Sequence, residues 1–244
     1  MLLLFDIDGT LLAGATQAHR EALHAALREV HGIEGPEAFW GSVRPAGRTD
    51  GEIARMILLL AGVSAARIDE RADDVREVCC REYARRCPAD LSETVLAGVP
   101  ELLAAVSARD GVRLALVTGN YEPVARLKLT RAGIGHHFPP EQGAFGSDAE
   151  DRAALPALAR RRAGDAGVPY PRERTIVIGD TPLDIACAGA DGVRCAAVAT
   201  GPFGADALTG ADAVAADAHE LMGVLSDMLT ISASDTGNAS PGPR

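Results

Sequence analysis

Two aspartates, Asp6 and Asp8, directly follow a short apolar run near the N-terminus and precede a Gly-Thr pair. The run over residues 2–5 predicts a strand that is buried on both faces, as in a parallel sheet. Side chains two apart on a strand share a face, so both carboxylates can point to one place. Close carboxylates repel each other, and a hard divalent cation with a phosphate substrate would relieve that repulsion. The alternative is a strand that ends in an ordinary polar turn.

Two later segments also place polar residues where predicted strands end. Thr118, Gly119 and Asn120 follow one such strand. A hydroxyl beside free backbone N–H groups predicts a phosphate cradle, although the same residues also suit a plain helix cap. Asp180 and Asp184 follow a second strand. Two acidic groups at one strand end would be explained by metal ligation.

The pattern of the whole chain predicts an α/β fold, with a Rossmann-like parallel sheet core and an inserted α-helical cap domain. From residue 98 onward, strands alternate with helices, which is typical of βαβ units. Residues 15–90 show helical spacing without a convincing strand, so we expect the cap there. The core would then comprise residues 1–14 and 91–231. The tail over residues 232–244 is rich in Ser, Gly, Pro and Asn and is predicted to be disordered.

Within the insertion, the spacing of apolar residues predicts helices over residues 16–31, 49–60 and 64–86. His19 and His24 are expected on the surface of the first of these helices. The pattern therefore predicts that the insertion is a set of amphipathic helices with charged outer faces.

Composition excludes several classes of partner. The chain of 244 residues has a net charge of −10 and only 4% aromatic residues, which argues against nucleic-acid and anionic-membrane binding. The five cysteines form no C-x-x-C pair, so free thiols are expected. Without a recognisable signal peptide or membrane span, the sequence predicts a soluble cytoplasmic protein, either a monomer or a homodimer.

Three motifs in register resemble the haloacid dehalogenase superfamily: DIDGT at residues 6–10, VTGN at residues 117–120 and GDTPLD at residues 179–184. More narrowly, they resemble its magnesium-dependent phosphatases that carry a small helical cap after the first motif, the phosphoglycolate phosphatase-like group. The resemblance covers nearly the whole chain apart from the tail. It implies a phosphatase that acts on a small phosphorylated metabolite.

The resemblance also implies a role for each aspartate. Asp6 would attack phosphorus and form an aspartyl-phosphate. Asp8 would protonate the leaving oxygen and then activate the hydrolytic water. Mg²⁺ would bind the Asp6 carboxylate, the Asp8 main-chain carbonyl and Asp180. Asp184 would bind the metal directly or orient a water bound to it.

The same resemblance assigns the binding of the transferring phosphoryl group to Thr118 and to the backbone N–H groups of Gly119 and Asn120. A phosphomutase would use the same aspartates but exclude water, so that activity remains an alternative. A catalytically silent phosphometabolite-binding protein is a second alternative, against which the intact set of aspartates argues.

The chain departs from the family in the cation that normally bridges the nucleophile and the phosphate. The expected Lys-Pro signature is absent, which leaves Arg152 and Lys128 as candidates. Arg152 begins a helix directly after a strand, where a cation opposes the helix macrodipole without structural gain, so we favour Arg152. Lys128 lies two turns into a helix and is expected on the solvated surface. In the loop over residues 44–50, Arg48 and Thr49 could contact the substrate, or Thr49 could simply cap a helix.

Overall fold

A parallel sheet forms the centre of the molecule, which a computed structural model describes over residues 1–235, with side chains over residues 1–230. Its strands are β1 (Leu2–Phe5), β2 (Arg113–Thr118), β3 (Ala144–Phe145), β4 (Thr175–Gly179), β5 (Arg194–Val198) and β6 (Ala213–Ala215). The strand order is β3-β2-β1-β4-β5-β6, and all neighbours are parallel. The predicted parallel sheet is confirmed, and the order reverses beside β1, where such sheets bind ligands.

Three strand ends lie level at one edge of this sheet. Phe5 of β1 is paired with Leu116 of β2 and with Ile178 of β4. The backbone N–H of Asp6 then donates to the Ile178 carbonyl over 2.9 Å, which extends the ladder by one residue. The residues that follow β1, β2 and β4 therefore meet at one place.

In chain order, a set of helices is inserted after β1 and before the other strands, as the sequence predicts. These inserted helices are α1 (Gln17–His31), α2 (Trp40–Val43), α3 (Asp50–Leu60), α4 (Ala65–Glu70) and α5 (Ala72–Arg86). They pack around a hydrophobic cluster that is separate from the two clusters on the sheet and that also includes Tyr121 and Val124, which follow β2. That they form a distinct cap domain over residues 15–90 stays a prediction.

The chain enters and leaves the insertion side by side. The Ala13 N–H donates to the Thr94 carbonyl over 2.7 Å, and the Leu96 N–H donates to the Leu11 carbonyl over 3.0 Å. This two-stranded stem attaches the inserted helices directly to the segment that follows Asp6 and Asp8.

The remaining helices cover the sheet on its two faces. They are α6 (Val99–Ser107), α7 (Glu122–Arg131), α8 (Leu155–Ala163), α9 (Pro182–Asp191) and α10 (Ala218–Asp235). Alternate residues of β1 pack into opposite layers, with Leu3 and Phe5 on one face and Leu2 and Leu4 on the other. This two-sided burial explains why β1 is an unbroken apolar run.

Some predicted boundaries differ from those observed. The helix expected over residues 64–86 is two helices, because the chain breaks at Arg71, whose backbone leaves the helical region. β6 and α10 were not predicted, and α10 includes the first residues of the tail that was expected to be disordered. The rest of that tail, residues 236–244, lies outside the described residues.

Two chain-wide expectations concern cysteines and membranes. All five cysteines are free thiols, as predicted. Within residues 1–235, no helix combines the length and the apolarity that crossing a membrane requires.

Candidate active site

Three buried carboxylates meet at the edge where β1 and β4 end. Asp6, Asp180 and Asp184 each offer an oxygen, and these oxygens lie within 4.8 Å of one another. Burial raises the pKa of Asp6 to about 7, although the Arg152 charge opposes this rise. Burial, reinforced by the Asp6 and Asp184 carboxylates, raises the pKa of Asp180 to about 8. The cluster thus holds more negative charge than its surroundings balance, and a cation would stabilise it.

One buried oxygen of this cluster has no hydrogen-bond partner among the described residues. Asp180 Oδ1 accepts a hydrogen bond from the Thr10 hydroxyl over 3.1 Å. Asp180 Oδ2 is buried and has no hydrogen-bond partner among the described residues. Two glycines approach it so closely that a Cβ would lie 2.2 Å away at Gly9 and 1.7 Å away at Gly201. A buried, unpartnered carboxylate oxygen beside two further carboxylates suits a hard divalent ion.

Arg152 is the cation beside Asp6. It begins the 3₁₀ turn over Arg152–Ala154 and is only 6% exposed. Its Nη2 donates to Asp6 Oδ1 over 3.0 Å and also to Asp184 Oδ1. Asp184 Oδ2 accepts from the backbone N–H of Thr181 over 3.0 Å and from its hydroxyl over 2.7 Å. Arg152 and Thr181 therefore fix the orientation of Asp184.

Lys128 is not on the surface, so that expectation was wrong. Its side chain is fully buried. Its Nζ donates to Asp8 Oδ1 over 2.8 Å, to Asp8 Oδ2 over 2.7 Å and to Asn120 Oδ1 over 2.8 Å. Lys128 lies one helical turn after Val124 and Ala125, on the face of α7 that points inward. The two candidate cations thus hold two different aspartates.

The surface expectation was wrong for His19 and His24 as well, since both side chains are buried. His19 lies on the row of α1 that contains Leu23 and Leu27, which pack inward. Its Nε2 lies 3.0 Å from Asp50 Oδ2, and its Nδ1 lies 3.3 Å from the Nζ of Lys128. The inserted helices therefore reach the site through a histidine.

Asp50 joins the inserted helices to the sheet core. Its backbone N–H donates to the Gly119 carbonyl over 2.8 Å, and its Oδ2 accepts from the Tyr121 N–H over 2.7 Å. A Cβ at Gly119 would lie only 2.1 Å from the Arg48 carbonyl oxygen. Glycine at this position therefore permits the close approach of the two parts.

The segment predicted as a phosphate cradle faces the aspartates. Thr118 Oγ1 accepts from Asn120 Nδ2 over 2.8 Å, and Asn120 Nδ2 also donates to Asp8 Oδ2 over 2.9 Å. Burial favours the neutral form of Asp8, yet the Lys128 charge and the hydrogen bonds from Lys128 and Asn120 outweigh it and lower the pKa of this carboxyl. Asn120 therefore connects the cradle to Asp8.

Of the two residues in the loop over residues 44–50 that were predicted to contact the substrate, Arg48 lines the cavity and Thr49 does not. Arg48 lines the cavity and pairs with Glu52, while its Nε is buried without a partner among the described residues. Thr49 caps α3 by accepting from the Glu52 N–H over 3.1 Å, and its hydroxyl donates to the Glu150 carbonyl over 2.6 Å. Its hydroxyl thus performs a capping and docking role.

A cavity of about 380 Å³ lies between the inserted helices and the strand ends. From the sheet side it is lined by the predicted residues Asp6, Asp8, Thr118, Gly119, Asn120, Arg152 and Asp180. From the inserted helices, Arg20, Trp40 and Arg48 contribute to the wall. The structure therefore brings the predicted core residues together around one small space.

Sequence reasoning missed His19 and Asp50 and misplaced Lys128. One signal in the composition could have found Lys128: it is the only lysine among the 24 basic Lys and Arg residues of the chain. His19 and Asp50 lie on segments whose apolar spacing predicts helices but does not reveal how those helices are oriented against the sheet. Their role depends on tertiary contacts.

The profile of one protein family, described as haloacid dehalogenase-like hydrolase, matches residues 3–189. A phosphoglycolate phosphatase from Rhodospirillum rubrum is 33% identical over 199 residues, which are 78% of this chain and 76% of that protein. A protein named tyrosine-protein kinase PtkA from Mycobacterium tuberculosis is 29% identical over 208 residues, or 84% of this chain. The alignment spans only 64% of the length of that protein.

Solved structures share the fold at low sequence identity. A β-phosphoglucomutase from Clostridium difficile matches with a TM-score of 0.67 and 16% identity, covering 96% of this chain and 98% of its own. CbbY from Rhodobacter sphaeroides, in complex with phosphate, matches with a TM-score of 0.61 and 22% identity, covering 90% and 95%. These likenesses establish the architecture of the sheet and the inserted helices.

Proposed function

The chain belongs to the haloacid dehalogenase-like hydrolases, and we propose that it is a magnesium-dependent phosphatase that hydrolyses a small phosphate monoester through an aspartyl-phosphate on Asp6. The observation that carries the proposal is the pairing of Asp6 with Arg152 over 3.0 Å, beside the unpartnered Oδ2 of Asp180. Phosphoryl transfer needs a nucleophile, a cation beside it and a group that can bind a metal ion, and Asp6, Arg152 and the Asp180 carboxylate could meet these needs in one buried space.

Asp6 attacks phosphorus in the proposed first step, and its carboxylate oxygen takes the phosphoryl group as the leaving oxygen departs. Arg152 holds Asp6 in place and offsets the repulsion between two anions in contact. The Thr118 hydroxyl and the backbone N–H groups of Gly119 and Asn120 bind the phosphoryl oxygens.

Asp8 transfers the protons in this proposal. It gives a proton to the leaving oxygen and later takes one from the water that hydrolyses the aspartyl-phosphate. Lys128 lowers the pKa of Asp8 in the free site. A phosphate dianion that arrives beside Asp8 adds negative charge and raises that pKa again, which favours the protonated acid when substrate is bound.

The residues present fit a magnesium ion. Asp6, Asp180 and the main-chain carbonyl of Asp8 would hold it, because no other group among residues 1–230 pairs with the Asp180 Oδ2. Asp184 would orient the ligands of the ion, since both of its oxygens already accept hydrogen bonds from Arg152 and Thr181. When bound, the ion supplies positive charge that stabilises the transferring phosphoryl group.

The substrate proposed for this site is a small ester whose leaving group carries an anionic group, as phosphoglycolate does. The cavity of about 380 Å³ admits only a small molecule. Arg20 and Arg48 line its wall on the side of the inserted helices, and guanidinium groups bind carboxylates in a bidentate way. The relative from Rhodospirillum rubrum is named for this substrate.

Release of inorganic phosphate from phosphoglycolate and from p-nitrophenyl phosphate, measured with and without Mg²⁺, tests the proposal. We expect release that needs Mg²⁺ and is lost in Asp6→Asn. Phosphate that is moved to another position on a sugar phosphate, with none released, would indicate the phosphomutase alternative. Binding of phosphoglycolate without either reaction would indicate a silent binding protein.

A further inference from the structure

Each of the three N–H groups of the Lys128 ammonium has a hydrogen-bond acceptor nearby. An ammonium has three N–H donors and no acceptor. The Nζ of Lys128 lies within hydrogen-bond distance of the Asp8 carboxylate, of Asn120 Oδ1 and of His19 Nδ1, the last at 3.3 Å. Two acceptors belong to the sheet core, and the third belongs to an inserted helix.

The direction of the hydrogen bonds at His19 follows from this contact. Because the ammonium can only donate, His19 Nδ1 must accept, so the ring proton lies on Nε2. Nε2 then donates to Asp50 Oδ2 over 3.0 Å. Asp50 in turn is fixed by the Tyr121 N–H, which donates to the same oxygen over 2.7 Å. A single chain of polar contacts therefore runs from Asp8 through Lys128 and His19 to Asp50.

Beyond Asp8, these contacts are made by buried side chains. Lys128 is 0% exposed, Asp50 is 4% exposed and His19 is 9% exposed. The His19 ring also packs edge-on against Tyr83, with ring centroids 5.6 Å apart. A buried ammonium that loses one acceptor is left with an unpaired donor, which is costly, so the loss would displace the group.

The composition gives the same indication. The only lysine of the chain is Lys128, and all of the remaining Lys and Arg residues are arginine. A planar guanidinium with five donors could not meet these three acceptors in so small a space without leaving donors unpaired. The site therefore requires a compact ammonium with tetrahedral donors.

We propose that His19 and Asp50 are positioning residues, which hold Asp8, through Lys128, where it can give a proton to the leaving oxygen. The inference rests on the proposed function. As the P–O bond breaks, the leaving oxygen takes the proton from Asp8, and Asp8 regains one from the water that attacks the aspartyl-phosphate. Because His19 and Asp50 lie on the inserted helices, Asp8 is placed correctly only when these helices are seated on the sheet.

Two nearly identical esters separate this role from a merely structural one. The p-nitrophenolate of p-nitrophenyl phosphate leaves without a proton, whereas the more basic phenolate of phenyl phosphate benefits from an acid. His19→Phe keeps an aromatic ring against Tyr83 but removes both nitrogens. We expect kcat/KM for phenyl phosphate to fall about tenfold further than kcat/KM for p-nitrophenyl phosphate.

The chain offers a rescue variant and a matched control. His19→Gln restores one acceptor and one donor, and we expect it to return the ratio of the two kcat/KM values toward that of the wild type. His24→Phe makes the same change on the same helix, where His24 packs edge-on against Trp40 with ring centroids 5.2 Å apart. We expect this control to leave the ratio unchanged. If His19→Phe does not fold, His19→Leu provides the same comparison.

An equal fall for both esters in His19→Phe, or no fall for either, would overturn this inference and leave the proposed function intact. A failure of His19→Gln to restore the ratio would overturn it too. A wild-type protein that releases phosphate from neither ester would overturn the proposed function, and this inference with it.

Discussion

Asp6, Asp8 and Asp180 share one buried space, yet each carboxylate has a different partner. Asp6 accepts from Arg152, Asp8 accepts from Lys128, and Asp180 keeps one oxygen without a partner among the described residues. Neighbouring carboxylates of one chemical type are thereby suited to different tasks, because their partners set their charge and orientation.

Replacement of Arg152 tests the pairing with Asp6. We expect Arg152→Ala to lower kcat by roughly a hundred- to several-thousand-fold, because a charge on the transferring phosphoryl contributes about 3 to 5 kcal/mol. Arg152→Lys should recover part of the loss by restoring the charge without the planar fork. Steady-state kinetics with p-nitrophenyl phosphate measures both variants. Activity close to that of the wild type in Arg152→Ala would remove Arg152 from this role.

The burial of Lys128 leads to an expectation opposite to the one for a surface lysine. We expect Lys128→Met to lower kcat/KM about tenfold to a hundredfold, because it leaves the Asp8 carboxylate without its cation. Lys128→Arg should be similarly impaired, since a guanidinium does not fit three acceptors around one nitrogen. Arg131→Met, on the exposed face of the same helix, is the control. Full activity of Lys128→Arg would show that only the charge matters here.

Among the helices and strands, the sequence predicts where each strand ends far better than which side of each helix packs against the rest of the protein. Each strand end combines an apolar run with a polar motif, so the position of Asp6, Thr118 and Asp180 can be predicted from local pattern. Lys128 lies on a helix whose inward face is decided by packing against the inserted helices, which one sequence does not encode locally. β6 is short and only partly buried, so its pattern is weak.

The close approach of Gly119 to Arg48 offers a test of how the inserted helices sit. A methyl group at Gly119 would meet the Arg48 carbonyl at 2.1 Å. We expect Gly119→Ala to push the inserted helices away from the strand ends and to expose Lys128. Because Lys128 is the only lysine, an amine-reactive reagent followed by mass spectrometry of its peptide reports that exposure.

Gly189 supplies the control for this experiment. It lies within α9, and a Cβ there would meet no atom within 4 Å. Gly189→Ala should leave Lys128 as protected as it is in the wild type. Equal protection of Lys128 in both alanine variants would contradict the steric argument.

In the molecule as a whole, the fold gathers basic side chains around the cavity, although the protein as a whole is acidic. The net charge is −10, yet Arg20, Arg48 and Arg152 line the cavity and Lys128 lies directly behind Asp8. The inserted helices supply one wall of this cavity. The cavity depends on contacts between segments far apart in sequence, which explains why composition alone does not reveal it.

Metal binding should stabilise the whole fold. We expect saturating Mg²⁺ to raise the Tm, because a ligand at about 100 times its Kd contributes about 2.7 kcal/mol. Asp180→Asn should abolish this rise, and excess chelator should stop turnover of the wild type. Asp191→Asn is the matched control, since Asp191 is a buried carboxylate paired with Arg160 outside the cluster. A normal Mg²⁺-dependent rise in Asp180→Asn would contradict the proposed ligand set.

Trapping the phosphoryl group on Asp6 would test directly whether this side chain is the nucleophile. The protein is mixed with p-nitrophenyl phosphate and Mg²⁺, quenched in acid within the first turnover and digested for mass spectrometry. We expect one phosphoryl group on the peptide that contains Asp6, and its absence in Asp6→Asn, which should fold but not turn over. Rapid turnover by Asp6→Asn, or a phosphoryl group on another residue of the active wild type, would show that Asp6 is not the nucleophile.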